Sequence, residues 1–569
     1  MRMRRTRAAL AVLLALTLLA AACGSDDPAP DDAEDPGEDV EEVDDPDADP
    51  DDADPAPDDD ADPDEQAAPD VAGGTLTVGL SSEPISLDPG DGLFIAEHQV
   101  LMHVFDTLVR LTPEGALVPG LATEWSADDA GTSFTFTLRD DVTFHDGTPF
   151  DAEAVIAQFD RLAATTDGAG VAPGVLAGYE GATAEGTTLE VTFSESKPEL
   201  LRDLTRAWMG IPSPAAMADG TDPSREPVGS GPFVLEEWAA QDRMVLRRND
   251  DYAWGAPELG HDGPPLVDEL VIRFLPDPSS RMAAFETGEV DVIEEPQFLQ
   301  VAGLVESGQA VLTSFQAPGM PTHMMLNTEN PPTDDPVVRE AMILAVDTAE
   351  LVQTAFAGLQ SPASNVLSPT TFGYSPEAAA TYAPDPAAAI ALLEEAGWVD
   401  EDGDGVREKD GQRLTLEYPA SPDWEGAYME LLTAYLTAAG FEVNLNQMDD
   451  AGIFEVANAG EHHLVSMAWI SGSPSVLPIV YHSDNIEQGS AFTRFRDDEL
   501  DGLFDEAAVT VDDGQRSALY AQAQIIIMDN ALAIPLYTLD RVMLLQPELS
   551  GFAFDAEGYA WLPGVAVGG

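Results

Sequence analysis

Apolar and polar positions along this chain alternate with two periods. From Gly74 to Leu80, every second residue is apolar (Leu76, Val78, Leu80), which predicts a strand. Ser133 to Arg139 repeats the pattern with Phe134, Phe136 and Leu138 on one face. Asp140-Asp141 then turns the chain, and Val142 and Phe144 read as a returning strand before Asp146-Gly147. Elsewhere the period is helical. Asp151 to Leu162 reads as a short helix. Asp335 is a good N-cap, Pro336 suits the first helical turn, and one apolar-periodic run ends at Gly358. Asp385, Pro386 and Gly397 punctuate another helix in the same way. Helices are also expected over Tyr428 to Ala439 and Asp513 to Met528. Mixed throughout and free of internal repeats, the body of about 490 residues is α/β or α+β, with more than one core.

The first 73 residues differ. Arg2, Arg4, Arg5 and Arg7 precede an apolar run from Ala8 to Ala22, so residues 1–22 read as a signal peptide. The run is shorter than the ~20 residues needed to span a bilayer. Small residues lead directly into Cys23, which resembles the lipobox of bacterial lipoproteins and implies lipidation at Cys23. Residues 24–70 hold 24 acidic residues and no Lys or Arg. Such a segment cannot bury enough apolar area to offset its ordering entropy, so residues 23–73 are expected to be a lipidated Cys and a disordered acidic tether.

Charge narrows the function classes. The chain has 105 Asp and Glu against 24 Lys and Arg, a net −81. With 24 of those acids in the tether and four of the bases in the leader, the remainder carries about −61. The basic footprint of a nucleic-acid binder is absent. Only two lysines, Lys197 and Lys409, accompany this acid excess, a composition that suggests adaptation to salt. The single cysteine removes disulfide frameworks and Cys-based metal sites.

No nucleophile elbow, zinc-hydrolase helix, phosphate-binding loop or dinucleotide fingerprint occurs. Glu461-His462-His463 brings two histidines together, but neighbours on a strand face opposite ways, so both are expected to be surface residues. Asp400, Asp402, Asp404 and Gly405 fit the start of a calcium loop, whereas Gly411 stands where the bidentate Glu belongs. These three aspartates form a weak candidate for a structural Ca²⁺; no other cofactor is expected.

Several motifs, in order, carry a resemblance. They are Ser86-Leu-Asp-Pro89, Leu121-Ala-Thr-Glu-Trp125, Val142-Thr-Phe-His-Asp-Gly-Thr148, Pro227-Val-Gly-Ser-Gly-Pro-Phe233, Arg248-Asn-Asp-Asp-Tyr252, Gly288-Glu-Val-Asp291, Asp335-Pro-Val-Val-Arg-Glu-Ala341 and Ala396-Gly-Trp398. From about Gly74 onward the chain resembles the solute-binding proteins of ABC importers, in the class of oligopeptide, dipeptide and nickel binders. The resemblance implies an α/β, two-lobed, periplasmic-binding-protein-like fold (type II, with an extra inserted domain). The first lobe domain would comprise 74–95, 223–322 and 538–569, the inserted domain 96–222, and the second lobe 323–537. Hinges are expected near Thr322–Asn327 and Pro535–Thr538.

The implied function is an extracytoplasmic receptor that captures a ligand between its lobes and delivers it to permease subunits. It would be a monomer, anchored through Cys23 to the outer face of the cytoplasmic membrane, and not an enzyme. A peptide is the first expectation. An oligosaccharide or another polar metabolite comes next, and a secreted hydrolase is the rival from another class. By resemblance, Glu83, Ile85, Trp424, Ser466, Trp469, Ser471 and Gly472 line the cleft. The chain departs from the pattern in two places. Peptide binders of this class place an acid three residues after the tryptophan, where this chain has Gly472, and the oligopeptide type places a base three residues before it, at Ser466. Without those charges, an uncharged ligand, or a peptide held through its backbone, is expected.

Overall fold

The computed structural model describes residues 73–91, 95–165 and 171–568. The leader, Cys23 and the acidic segment lie outside the described residues. So do the side chains of Asp423 and Trp424.

The alternating segment Thr75–Leu80 becomes a central strand with Leu76, Val78 and Leu80 buried. It pairs in parallel with Glu269–Phe274 on one side and Val292–Glu294 on the other. Antiparallel additions extend this to seven strands, with Val311–Gln316 at one edge and Phe233–Ala239 at the other. Asp540–Leu545 enters the same sheet from the far end of the chain.

Residues 122–193 form a separate four-stranded antiparallel sheet, in the order Ala122–Ala127, Ser133–Leu138, Thr188–Phe193, Tyr179–Glu185. The helix Ala152–Ala164, capped by Asp151 on the Ala154 N–H, packs Val155, Phe159 and Leu162 into a core with Phe134 and Phe136. Val142 and Phe144 do not return as a strand. Both edges of Ser133–Leu138 are already taken, by Ala122–Ala127 and Thr188–Phe193. The returning segment therefore makes only an isolated bridge, Thr143 to Pro149, while Val142 and Phe144 bury their side chains in the core.

A third sheet joins Leu464–Ile470, Gly319–Leu326 and Ala533–Tyr537, all antiparallel. Near it lies a parallel pair, Thr415–Ala420 with Glu442–Gln447. The helices Pro336–Ala345, Pro386–Glu395, Met429–Ala438 and Asp513–Asp529 form where the sequence pattern places them. The run from Pro336 to Gly358 is two helices, however. Asp347 turns its side chain onto the Glu350 N–H at 2.9 Å and starts a new helix, Thr348–Phe356.

The chain passes from the seven-stranded to the three-stranded sheet at Ala317-Pro318, and returns at Thr538-Leu539. The first passage precedes the Thr322–Asn327 crossing expected from sequence. Gln316 donates to the Thr538 hydroxyl at 3.3 Å, which ties the two passages together. Separate hydrophobic clusters fill each sheet's surroundings. Among the described residues, no helix is long and apolar enough to cross a membrane.

Candidate ligand cleft

A cavity of about 60 Å³, room for about two waters, opens where the four-stranded and seven-stranded units meet. His98, Asp106, Arg110, Arg206, Glu557 and Trp561 are among its walls. The helix Ile95–Val104 carries His98, and the short turn between Ala553–Phe554 and Ala560–Trp561 carries Glu557. Arg206 precedes the helical turn Ala207–Met209.

Two buried ion pairs give this wall its character. Asp106 accepts from Arg110, from the Tyr252 hydroxyl at 3.1 Å, from the Trp254 indole at 2.8 Å and from Ser230 at 2.9 Å. That carboxylate is saturated, and its role is to fix Arg110. Glu557 accepts a very short bond from Arg206. Burial pushes the Glu557 pKa up, but the charges of Arg206 and His98 and a hydrogen bond from the Gly472 N–H reverse this, and the net shift is down. His98 places Nε2 3.3 Å from Asp555 and Nδ1 3.9 Å from Glu557, and its ring stacks on Tyr559 at 4.1 Å. Burial pushes Asp203, beside this group, up to about 7, partly offset by Arg206.

The other residues expected in the cleft lie on and after a strand of the three-stranded sheet, which contributes no residue to this cavity's lining. Trp469 stands opposite Met320 and is 38% exposed, so it is not a core residue. Ser466 is buried, with its hydroxyl 2.8 Å from that of Tyr428. Ser471 is buried; its N–H donates to the Pro318 carbonyl and its hydroxyl accepts from the Ser473 N–H. A Cβ on Gly472 would lie 3.8 Å from Leu111 and 4.0 Å from Glu557 Oε1. The structure thus brings Ser466, Trp469, Ser471 and Gly472 onto one strand and the loop that follows it. Glu83 is engaged elsewhere. It accepts from the Trp238 indole at 2.7 Å and the Gln241 N–H at 2.9 Å, which anchors an edge hairpin. Ile85 is 66% exposed and donates its N–H to Glu97. Neither Glu83 nor Ile85 is among the residues lining the cavity. Trp424's side chain is outside the described residues.

One further sequence reading changes. His462 is fully buried, not on the surface; its Nε2 meets the Phe492 carbonyl at 2.9 Å and burial pushes its pKa down to about 4. His463 is spent on the Glu417 N–H and the Pro331 carbonyl. Asp400, Asp402 and Asp404 do converge, with carboxylate oxygens within 4.8 Å of one another. Each also caps its own turn, and Asp404 pairs with Arg413 at 2.9 Å.

Sequence reading missed His98, Arg206 and Glu557. Arg206 and Glu557 are 351 positions apart, and nothing local marks the pair. Asp106 and Arg110 were legible in principle, as an acid and a base four apart within the apolar stretch from Val104 to Leu111.

Residues 116–488 match the family described as bacterial extracellular solute-binding proteins, family 5. The chain belongs to that family. Family 5 proteins are extracytoplasmic receptors of ABC importers, not enzymes, and this one is a ligand-capturing receptor with the two-lobed α/β fold. The nickel-binding periplasmic protein of Escherichia coli (strain K12) is 28% identical over 494 residues, covering 83% of this chain and 91% of that protein. The dipeptide-binding protein of the same organism is 26% identical over 478 residues, 79% of this chain and 86% of that one. Among solved structures, HbpA2 from Haemophilus parasuis superposes with a TM-score of 0.75 at 23% identity, over 87% of this chain and all of that one.

Proposed function

We propose that this family 5 receptor captures a peptide-like solute between the wall of Arg206, Glu557 and His98 and the wall of Trp469, and hands it to permease subunits. The observation that carries the reading is that the loop after the exposed Trp469 approaches the buried charged wall of the other lobe, a Cβ at Gly472 standing 4.0 Å from Glu557. A dipeptide-binding relative supports the ligand class. A monomer tethered by a lipid on Cys23 completes the reading. Replacing Cys23 by Ser releases the protein from the membrane fraction if that is right, because acyl burial supplies ~0.8 kcal/mol per CH₂. No cofactor enters: we assign Asp400, Asp402 and Asp404 as a self-capped turn in which Arg413 supplies the positive charge.

Mass spectrometry of what co-purifies with the protein, followed by calorimetry with a dipeptide panel, tests the ligand class. Failure of every peptide to bind, with an oligosaccharide recovered instead, overturns it. Trp469→Ala is expected to weaken binding by ~30-fold while leaving the melting temperature of the ligand-free protein nearly unchanged.

A further inference from the structure

The loop after Trp469 touches the other lobe at more than one point. Gly472 faces Glu557, with the place of its absent Cβ 4.0 Å from Glu557 Oε1. The Ser473 hydroxyl donates to Glu199 at 3.1 Å. Glu199 lies 2.6 Å from Arg516, whose side chain is 1% exposed. Arg516 pairs at 2.6 Å with Asp513, and Asp513 lies 3.7 Å from Arg202. Both guanidinium groups lie over the Phe372 ring, Arg202 at 4.3 Å and Arg516 at 5.3 Å. Glu199, Arg202 and Glu557 belong to one lobe; Phe372, Gly472, Ser473, Asp513 and Arg516 belong to the other. The ion pairs cross: an acid of the first lobe meets a base of the second, and a base of the first meets an acid of the second.

We propose that these crossed pairs form a clasp that holds the two lobes together before a ligand arrives. The clasp also accounts for the glycine at 472. The space where a side chain would grow ends 4.0 Å away at a carboxylate from the opposite lobe. An acid at 472 would face Glu557 and force the lobes apart. The charge missing from the second-lobe wall is therefore a condition of closure. Because the clasp acts on the open–closed equilibrium, loosening it lowers the affinity for every ligand by one common factor, the closed fraction lost.

Gly472→Asp tests this directly. Gly472 has no left-handed backbone requirement, and the added Cβ meets only ordinary van der Waals neighbours, so the variant is sterically tolerated. Amide hydrogen exchange is measured by mass spectrometry on the full, extensively dialysed chain. In the native protein, segments 199–206 and 471–475 are expected to be protected without ligand. Gly472→Asp raises exchange in both by ~10-fold or more, whereas strand 319–326 stays as it was. Gly472→Ala, which adds bulk without charge, keeps the protection. Adding Glu557→Gln to Gly472→Asp restores it, because the repulsion is gone. Unprotected segments in the native protein, unchanged exchange in Gly472→Asp, or no restoration by Glu557→Gln each overturn the clasp. The outcome does not depend on which solute the receptor takes.

Discussion

The two lobes meet at opposite ends of one chemical scale. At the passages between sheets the chain runs into Gly319–Leu326 and out of Ala533–Tyr537, strands whose every residue is buried and which carry no Asp, Glu, Lys or Arg. At the clasp the lobes are joined by Glu199, Arg202, Asp513, Arg516 and Glu557. Burial of apolar surface is non-directional and hard to undo, so the first contact survives any lobe angle. Ion pairs and charge-assisted hydrogen bonds depend on geometry and can be exchanged for water, so the second can break as a unit. A receptor that must open and close needs one of each.

The largest effect should come from damaging the apolar end. Leu536 is fully buried among Met324, Leu326, Val338 and their neighbours. Leu536→Ala is expected to cost ~2–5 kcal/mol of stability by denaturant unfolding. Exchange at 471–475 should stay native in the folded protein, since the clasp geometry is untouched. Loss of that protection would show that the two contacts are not separable.

Glu199→Gln attacks the other end. Breaking a buried pair inside a rigid core costs ~3–5 kcal/mol, but Arg516 keeps Asp513 at 2.6 Å. Here the lobes can part and return Arg516 to water, which caps the cost, so we expect less than ~1 kcal/mol of stability together with exchange at 471–475 as fast as in Gly472→Asp. A large stability loss without faster exchange would mean that this contact is core rather than clasp.

What the sequence disclosed follows the same division. Asp151, Asp335 and Asp385 were readable as caps because a cap bonds within three residues of itself. The break at Asp347 was readable too: Asp347-Thr-Ala-Glu350 spells a helix start, but continuous apolar periodicity outweighed it. Val142–Phe144 failed as a strand because strand formation needs a free edge, and edge occupancy is a property of the whole sheet. Eight ordered motifs carried the family and the two-lobed architecture. Gly472 was visible as a departure, yet its cause lay in Glu557, 85 positions on. Local rules cannot pair residues that only closure brings together.

Proton linkage gives the two ends opposite signs. At the hinge, burial pushes His323 down from 6.5 to about 4. Its Nδ1 meets the Pro321 carbonyl and its Nε2 the Tyr481 hydroxyl. Between those values the unfolded chain takes a proton that the folded one refuses, so this group's contribution to stability falls as pH drops from 6.5 towards 4. Near the clasp, burial pushes Asp203 from 3.8 up to about 7. There the folded chain keeps a proton that the unfolded one has lost, so stability falls as pH rises from about 4 through 7. Asp203→Asn should therefore raise the melting temperature relative to the native protein at pH 7.5 more than at pH 4.5. An equal shift at both values would show that Asp203 is not protonated preferentially in the fold.

Salt should separate the two ends most gently. The body carries about −61, spread over both lobes, so at low ionic strength the lobes repel each other while the clasp draws them together. The Debye length falls from roughly 10 Å at 0.1 M to 3 Å at 1 M. That removes repulsion between distant surface carboxylates. It leaves Arg516–Glu199 nearly intact, because their side chains are 1% and 14% exposed and 2.6 Å apart. Raising salt should thus increase both the melting temperature and the protection of 471–475 in the ligand-free protein. A rise in melting temperature with a fall in protection would place the clasp pairs in water, and the comparison between a dry hinge and a guarded clasp would fail at that point.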